Sequence, residues 1–256
     1  MKVLNFKEAV LATLAYFDLF EYPLTQNEIN RYLFKAEPDA HHIGVMLKES
    51  RKIRQRGSYY QLAESSDRVA TRHERELIAK RFWKRVEKYR GVFQLIPFVR
   101  LAAVCNTLAL NNTKEESDID LLVITQPNRL FTARILLTVL LQLLGVRRHG
   151  SKVAGRFCLS FFVAEGHLNA DEIAKKPYDI YLAYWLQTLQ PIAGSKEVYE
   201  ELLKQNRSWL KQFFAGSPLY NMHHFKETPR LAGRIQTVLE KMLSSRWGER
   251  LEKKLA

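Results

Sequence analysis

Between residues 98 and 163 the chain alternates short β-type runs with one long apolar helical run, and few folds accommodate that pattern. "VRLAAVCN", "SDIDLLVIT" and "RFCLSFFVAE" read as strands, while "NRLFTARILLTVLLQLLGV" reads as a helix. A helix this apolar must bury itself against a sheet, so an α+β class is expected, with a small mixed sheet and helices. The most apolar part, Ile135 to Val146, is shorter than the ~18–20 residues of a membrane span, and Thr138 and Gln142 interrupt it. No membrane association is expected. Lys7, Glu8 and Asp18 break up the N-terminal apolar stretch, and no small-residue cleavage site follows, so no signal peptide is read there. Two cysteines, Cys105 and Cys158, provide no disulfide framework, and a cytoplasmic protein is expected.

Other segments flank this core. In residues 1–66, "NFKEAVLATLAYFDLF", "YPLTQNEINRYLF" and "PDAHHIGVMLKES" read as three helices, the second opened by a Thr25–Glu28 capping box. "RKIRQRGSYYQLA" reads as a hairpin around Gly57. Three helices followed by a hairpin resemble a winged helix-turn-helix domain. That resemblance implies nucleic-acid contacts through His41, His42, Lys48, Arg51, Lys52, Arg54 and Arg56. A winged helix used only for packing or protein contacts is the alternative. Residues 67–97 read as a long connecting helix in which Ile78, Phe82, Val86, Tyr89 and Phe93 make an apolar stripe. Residues 98–166 form the mixed-sheet core, and residues 167–256 are expected to be all helical.

Charge separates these segments. The chain carries a net charge of +13, and ten Lys+Arg against four Asp+Glu fall between Asp67 and Arg100. Residues 1–66, by contrast, are nearly neutral. Arg81, Lys84, Arg85 and Lys88 lie off the apolar stripe, where they form either a solvated face or a surface for phosphate-bearing partners such as nucleic acid.

The chemistry concentrates at Asp118 and Asp120. Two acids two residues apart on a strand project from one face, roughly 7 Å apart at the backbone. Such a pair can hold Mg²⁺, which neutralises a triphosphate and activates an attacking hydroxyl. The following "LLVIT" anchors the pair in a core. The seven histidines show no spacing with cysteines or acids that suits zinc.

A strand ending near Cys105, a short helical turn, and then "ESDIDLLVI" resemble the polymerase-β-like nucleotidyltransferases. That family carries Gly-Ser at the end of one strand and Asp-x-Asp on the next. The resemblance covers about residues 98–163 and implies Mg²⁺ on Asp118 and Asp120, which would be the catalytic acids. It also implies a nucleoside triphosphate such as ATP, bound by the turn Cys105, Asn106 and Thr107 and by Ser117. Arg134 and Lys152 are further candidates to face a phosphate. Cys105-Asn106 stands where the family has Gly-Ser, and the side chain of Cys105 is expected to intrude on the phosphate turn. Asn106 can donate through its amide and tolerates left-handed backbone geometry. On the later strand, Cys158 and Ser160 fall where active members place a third carboxylate. Glu165 and Asp179 are the acids that could compensate.

Two functions follow. One is Mg²⁺-dependent transfer of a nucleotidyl group to a hydroxyl acceptor, slowed by the altered turn. The other is the same fold without chemistry, acting as a nucleotide sensor or nucleic-acid-binding regulator.

Overall fold

A computed structural model describes residues 4–216, 218–244 and 252. The class is α+β. The chain divides into two compact units, each assembled from separated stretches of sequence.

The first unit comprises residues 1–77, 173–187 and 207–219. It contains α1 (Phe6–Asp18), β1 (Leu24–Thr25), α2 (Gln26–Arg31), α3 (Ala40–Glu49), β2 (Ile53–Arg56) and β3 (Tyr59–Leu62). Capping boxes at Asn5–Glu8 and Thr25–Glu28 start α1 and α2. Asp39 starts α3 by accepting from the His42 N–H. The three strands form one antiparallel sheet in the order β1-β3-β2. The long helix α4 (Val69–Leu95) begins in this unit, where two of its arginines are buried. Arg72 pairs with Glu28 at 2.7 Å and donates to the Pro23 carbonyl at 2.6 Å. Arg75 pairs with Glu21 and donates to the Phe20 carbonyl. Part of the basic excess of this helix therefore serves internal ion pairs.

The second unit comprises residues 78–172, 188–206 and 220–256. Its strands are β4 (Val99–Val104), β5 (Ile119–Thr125), β6 (Phe157–Ala164), β7 (Gln190–Gly194) and β8 (Lys226–Glu227). They form one mixed sheet in the order β6-β5-β4-β7-β8, with β4 antiparallel to β5 and β7, and β5 parallel to β6. The helices are α5 (Asn106–Ala109), α6 (Leu130–Leu143) and α9 (Arg230–Leu243). Two more, α7 (Ile180–Thr188) and α8 (Lys196–Leu210), run across the boundaries between the units. Ile78, Phe82, Val86 and Phe93 of α4 join Val99, Val104, Ile119, Val123 and Phe157 in the core. From α6, Ala133, Leu137 and Leu141 are buried, while Ile135, Val139 and Leu143 on its opposite side are exposed.

The expectation of an all-helical segment after residue 166 fails at β7. "QPIAG" is buried along its middle and pairs with β4, so a short apolar run that continues a helical pattern proves to be a central strand. Such runs carry no period that separates the two states. Pro191 is tolerated there because the β4–β7 register shifts between Ala102 and Ala103, and a bulge dispenses with the missing N–H. The tail helix expected from about residue 228 is α9, and its continuation beyond residue 244 lies outside the described residues apart from Glu252.

His224 stacks on Trp83 with ring centroids 3.6 Å apart and planes 4° apart. Burial pushes its imidazole below the ordinary value of 6.5. A folded value below the unfolded one means that the unfolded chain takes up the proton first. The stability present above the unfolded value is therefore lost as pH falls through it and towards the folded value. The melting temperature is expected to drop as pH falls below the ordinary imidazole value, and His224→Phe should flatten that part of the profile, as calorimetry at stepped pH would measure.

Candidate functional site

Asp118 immediately precedes β5 and Asp120 is its second residue, at the end of the strand that faces the start of β6. Neighbouring backbone fixes both. The Ile119 N–H donates to the Arg156 carbonyl (2.8 Å) and the Gly155 N–H to the Ser117 carbonyl (2.8 Å), so residues 117–119 are stitched to the turn before β6. On the other side, the Cys105 N–H donates to the Asp120 carbonyl at 3.0 Å.

The side chains converge more closely. Asn106 Nδ2 donates to Asp120 Oδ2 at 2.8 Å, and Ser160 Oγ donates to Asp120 Oδ1 at 2.6 Å. Arg148 Nη1 lies 3.1 Å from Asp118 Oδ2 and 3.4 Å from Cys158 Sγ. Ser160 Oγ is 3.0 Å from the same sulfur. One ligand atom from each of Asp118, Asp120 and Cys158 falls within a span of 4.8 Å. Burial, and then the adjacent Asp120 carboxylate, push the Asp118 carboxyl above its ordinary range. Burial likewise raises the Cys158 thiol. The result is a half-buried cluster of two carboxyls and a thiol with one guanidinium at its edge.

The turn after β4 differs from the expected intrusion of Cys105. Cys105 has an extended backbone (φ −130°) and its side chain is packed in the core, 1% exposed. A Cβ is therefore tolerated at that position. The left-handed residue is Asn106 (φ +57°), a geometry that asparagine adopts at little cost. The same turn aims its amide at Asp120.

Thr107 is exposed at the start of α5, and its carbonyl accepts from the Asn112 N–H at 2.8 Å. Ser117 Oγ accepts from the Lys114 N–H at 3.1 Å, which orders the turn leading into Asp118. Arg134 lies over the Phe162 ring, 5.4 Å from its centroid. Lys152 sits on the exposed turn bridged to His149. Among the described residues, neither Arg134 nor Lys152 is bonded to the Asp pair. Among the described residues, Glu165 accepts from no site group. Its N–H meets the Thr125 carbonyl at the far end of β5, and its carboxylate lies 4.0 Å from Arg100. Asp179 caps α7 by accepting from the Leu182 and Lys175 N–H groups.

Arg148 is the site residue that sequence reasoning missed. Its only sequence signal is the basic pair in "GVRRHG" after an apolar helix, a pattern that surface loops often carry. Among the nucleic-acid candidates of the first unit, Arg54 donates to the Ala63 and Ser65 carbonyls, Arg56 pairs with Asp67 at 3.3 Å, and His42 with Asp39 at 2.8 Å. No helix among the described residues is long and apolar enough to cross a membrane. Comparison of the chain with family models, with curated proteins and with solved structures finds no match.

Proposed function

We propose that the chain binds a nucleoside triphosphate with Mg²⁺ at Asp118 and Asp120 and transfers a nucleotidyl group to a hydroxyl acceptor. One observation carries this reading: Asn106, from the turn after β4, reaches 2.8 Å from the second acid of Asp-x-Asp. That contact joins the turn after β4 to the acid pair, in the order that the resemblance to polymerase-β-like nucleotidyltransferases implies, and so supports the reading. The three helices and antiparallel sheet of the first unit support the winged-helix resemblance in the same way.

The donor set fits Mg²⁺ held through two carboxylates, because that ion commonly takes one or two carboxylates and completes its shell with substrate phosphates and water. Cys158 is too soft a donor to serve it as a third ligand. Bound Mg²⁺ would neutralise phosphate charge and polarise the phosphoryl group. The chain's own groups do the rest. Asn106 and Ser160 hold Asp120 in one orientation, and Arg148 supplies a cation at the edge of the cluster for a phosphate oxygen. The position beside Asp120 on β6 carries a thiol and a hydroxyl where a carboxylate would serve as general base, so transfer is slow. A nucleotide sensor without chemistry is the second reading, favoured by that same missing base and by the Arg148–Asp118 pair.

Calorimetric titration with ATP in the presence and absence of Mg²⁺ tests the site. Metal-dependent binding is expected, and Cys158→Asp should tighten it by about tenfold by adding a hard oxygen donor. Binding that is absent, or indifferent to Mg²⁺, would sink the reading. Transfer of α-labelled nucleotide to any hydroxyl by the wild-type chain separates transferase from sensor.

A further inference from the structure

A groove of about 440 Å³ is walled on one side by α4 and on the other by the turn that includes Gly155. Arg81, Lys84, Arg85 and Lys88 line it from one helix face, spaced over seven residues or about 10 Å of helix axis. Glu115 pairs with Arg81 at one end. Among the described residues no carboxylate pairs with Lys84, Arg85 or Lys88. Arg85 Nε is buried and has no hydrogen-bond partner, so a donor already removed from water awaits an acceptor.

The wall of this groove is also the support of the proposed active site. Gly155 donates to the carbonyl of Ser117, the residue before Asp118. We infer that the groove holds the sugar–phosphate backbone of a single-stranded nucleic acid, laid along α4. A row of cations over this length matches on the order of three successive phosphates, whereas a lone phosphate would need only one or two of them. The absence of a partner on Arg85 Nε points to an anionic oxygen lying deep in the groove, which a backbone phosphate reaches.

Fluorescence anisotropy of the full chain with a labelled oligouridylate, without Mg²⁺ or ATP, tests the groove separately from the acid pair. Wild type is expected to bind, and Lys84→Ala with Lys88→Ala to bind about tenfold more weakly, with the slope of log affinity against log salt reduced by ~1.4 for two lost contacts. Arg85→Gln should weaken binding without changing the fold by circular dichroism. Asp120→Asn should lose Mg²⁺-dependent ATP binding and keep the oligonucleotide, so the two readings fail separately. An unchanged slope in the double variant overturns the groove. Competition by polyglutamate at the same charge concentration also overturns it, in favour of an acidic protein partner.

Discussion

Asp118→Asn and Asp120→Asn are each expected to weaken Mg²⁺-dependent triphosphate binding by at least ~100-fold, about 2.7 kcal/mol, because each removes one of two hard ligands from the ion. Their stabilities should move in opposite directions. The Asp118 carboxyl is destabilised in its charged form by burial and by Asp120. Replacing it by the amide relieves both effects, and Arg148, with a side chain 47% exposed, can return to water. Its melting temperature should hold or rise. Asp120 is different, because both of its oxygens already accept hydrogen bonds, from Ser160 and from the Asn106 amide. An asparagine there offers one acceptor oxygen and sets an NH₂ against one of these donors, which costs about 1 kcal/mol. Differential scanning calorimetry on the two variants reads this. A fall of similar size in both would mean that the pair is structural and is not held in strain for a ligand.

Gly194→Ala is expected to cost about 3–5 kcal/mol, a fall of ~10 °C or more in the melting temperature. Gly194 closes β7 at φ +120°, and a Cβ built there would lie 2.2 Å from the Arg100 carbonyl oxygen and 2.7 Å from Leu101 Cα. Both neighbours are backbone of the central strand, so neither can give way without breaking the β4–β7 ladder. Gly91 provides the control. It lies inside α4, an added Cβ there meets nothing within 4 Å, and Gly91→Ala should stabilise by up to about 1 kcal/mol through helix propensity. Thermal melts of the two variants should therefore diverge. Equal midpoints would show that β7 does not pack as described.

How far the fold could be read in advance depended on sequence separation. The α4 stripe and the strand character of β4, β5 and β6 come from local periods of apolar residues, which depend on no distant partner. The left-handed turn at Asn106 was accessible for the same reason, since asparagine's tolerance of that geometry is intrinsic. β7 was not accessible, because what makes "QPIAG" a strand is its partner Leu101–Val104, some ninety residues earlier in the chain. In the site, the acid pair was visible as a spacing, and Cys158 and Ser160 as occupants of a position. Arg148 reaches Asp118 only because the turn after α6 folds back beside β6, bonding the Arg148 N–H to the Phe157 carbonyl. No spacing rule records such a return. Arg134 was chosen for its place on the helix after the acid strand, yet it lies over Phe162, because a guanidinium gains by covering an aromatic face that water would otherwise wet.

Neither unit is a continuous piece of chain: the polypeptide passes from one to the other at 77/78, 172/173, 187/188, 206/207 and 219/220. During vectorial synthesis, β4 is made long before β7 arrives to cover its open edge, and the first unit waits for residues 173–187 and 207–219. Chains of this kind fold late, with many non-local closures to complete, and their unfinished sheet edges stay open to misassociation meanwhile. For anyone dissecting this protein, no single cut releases either half intact. The catalytic and groove hypotheses must be addressed with point substitutions in the whole chain, because a truncated fragment would lack strands or helices of the unit it was meant to isolate.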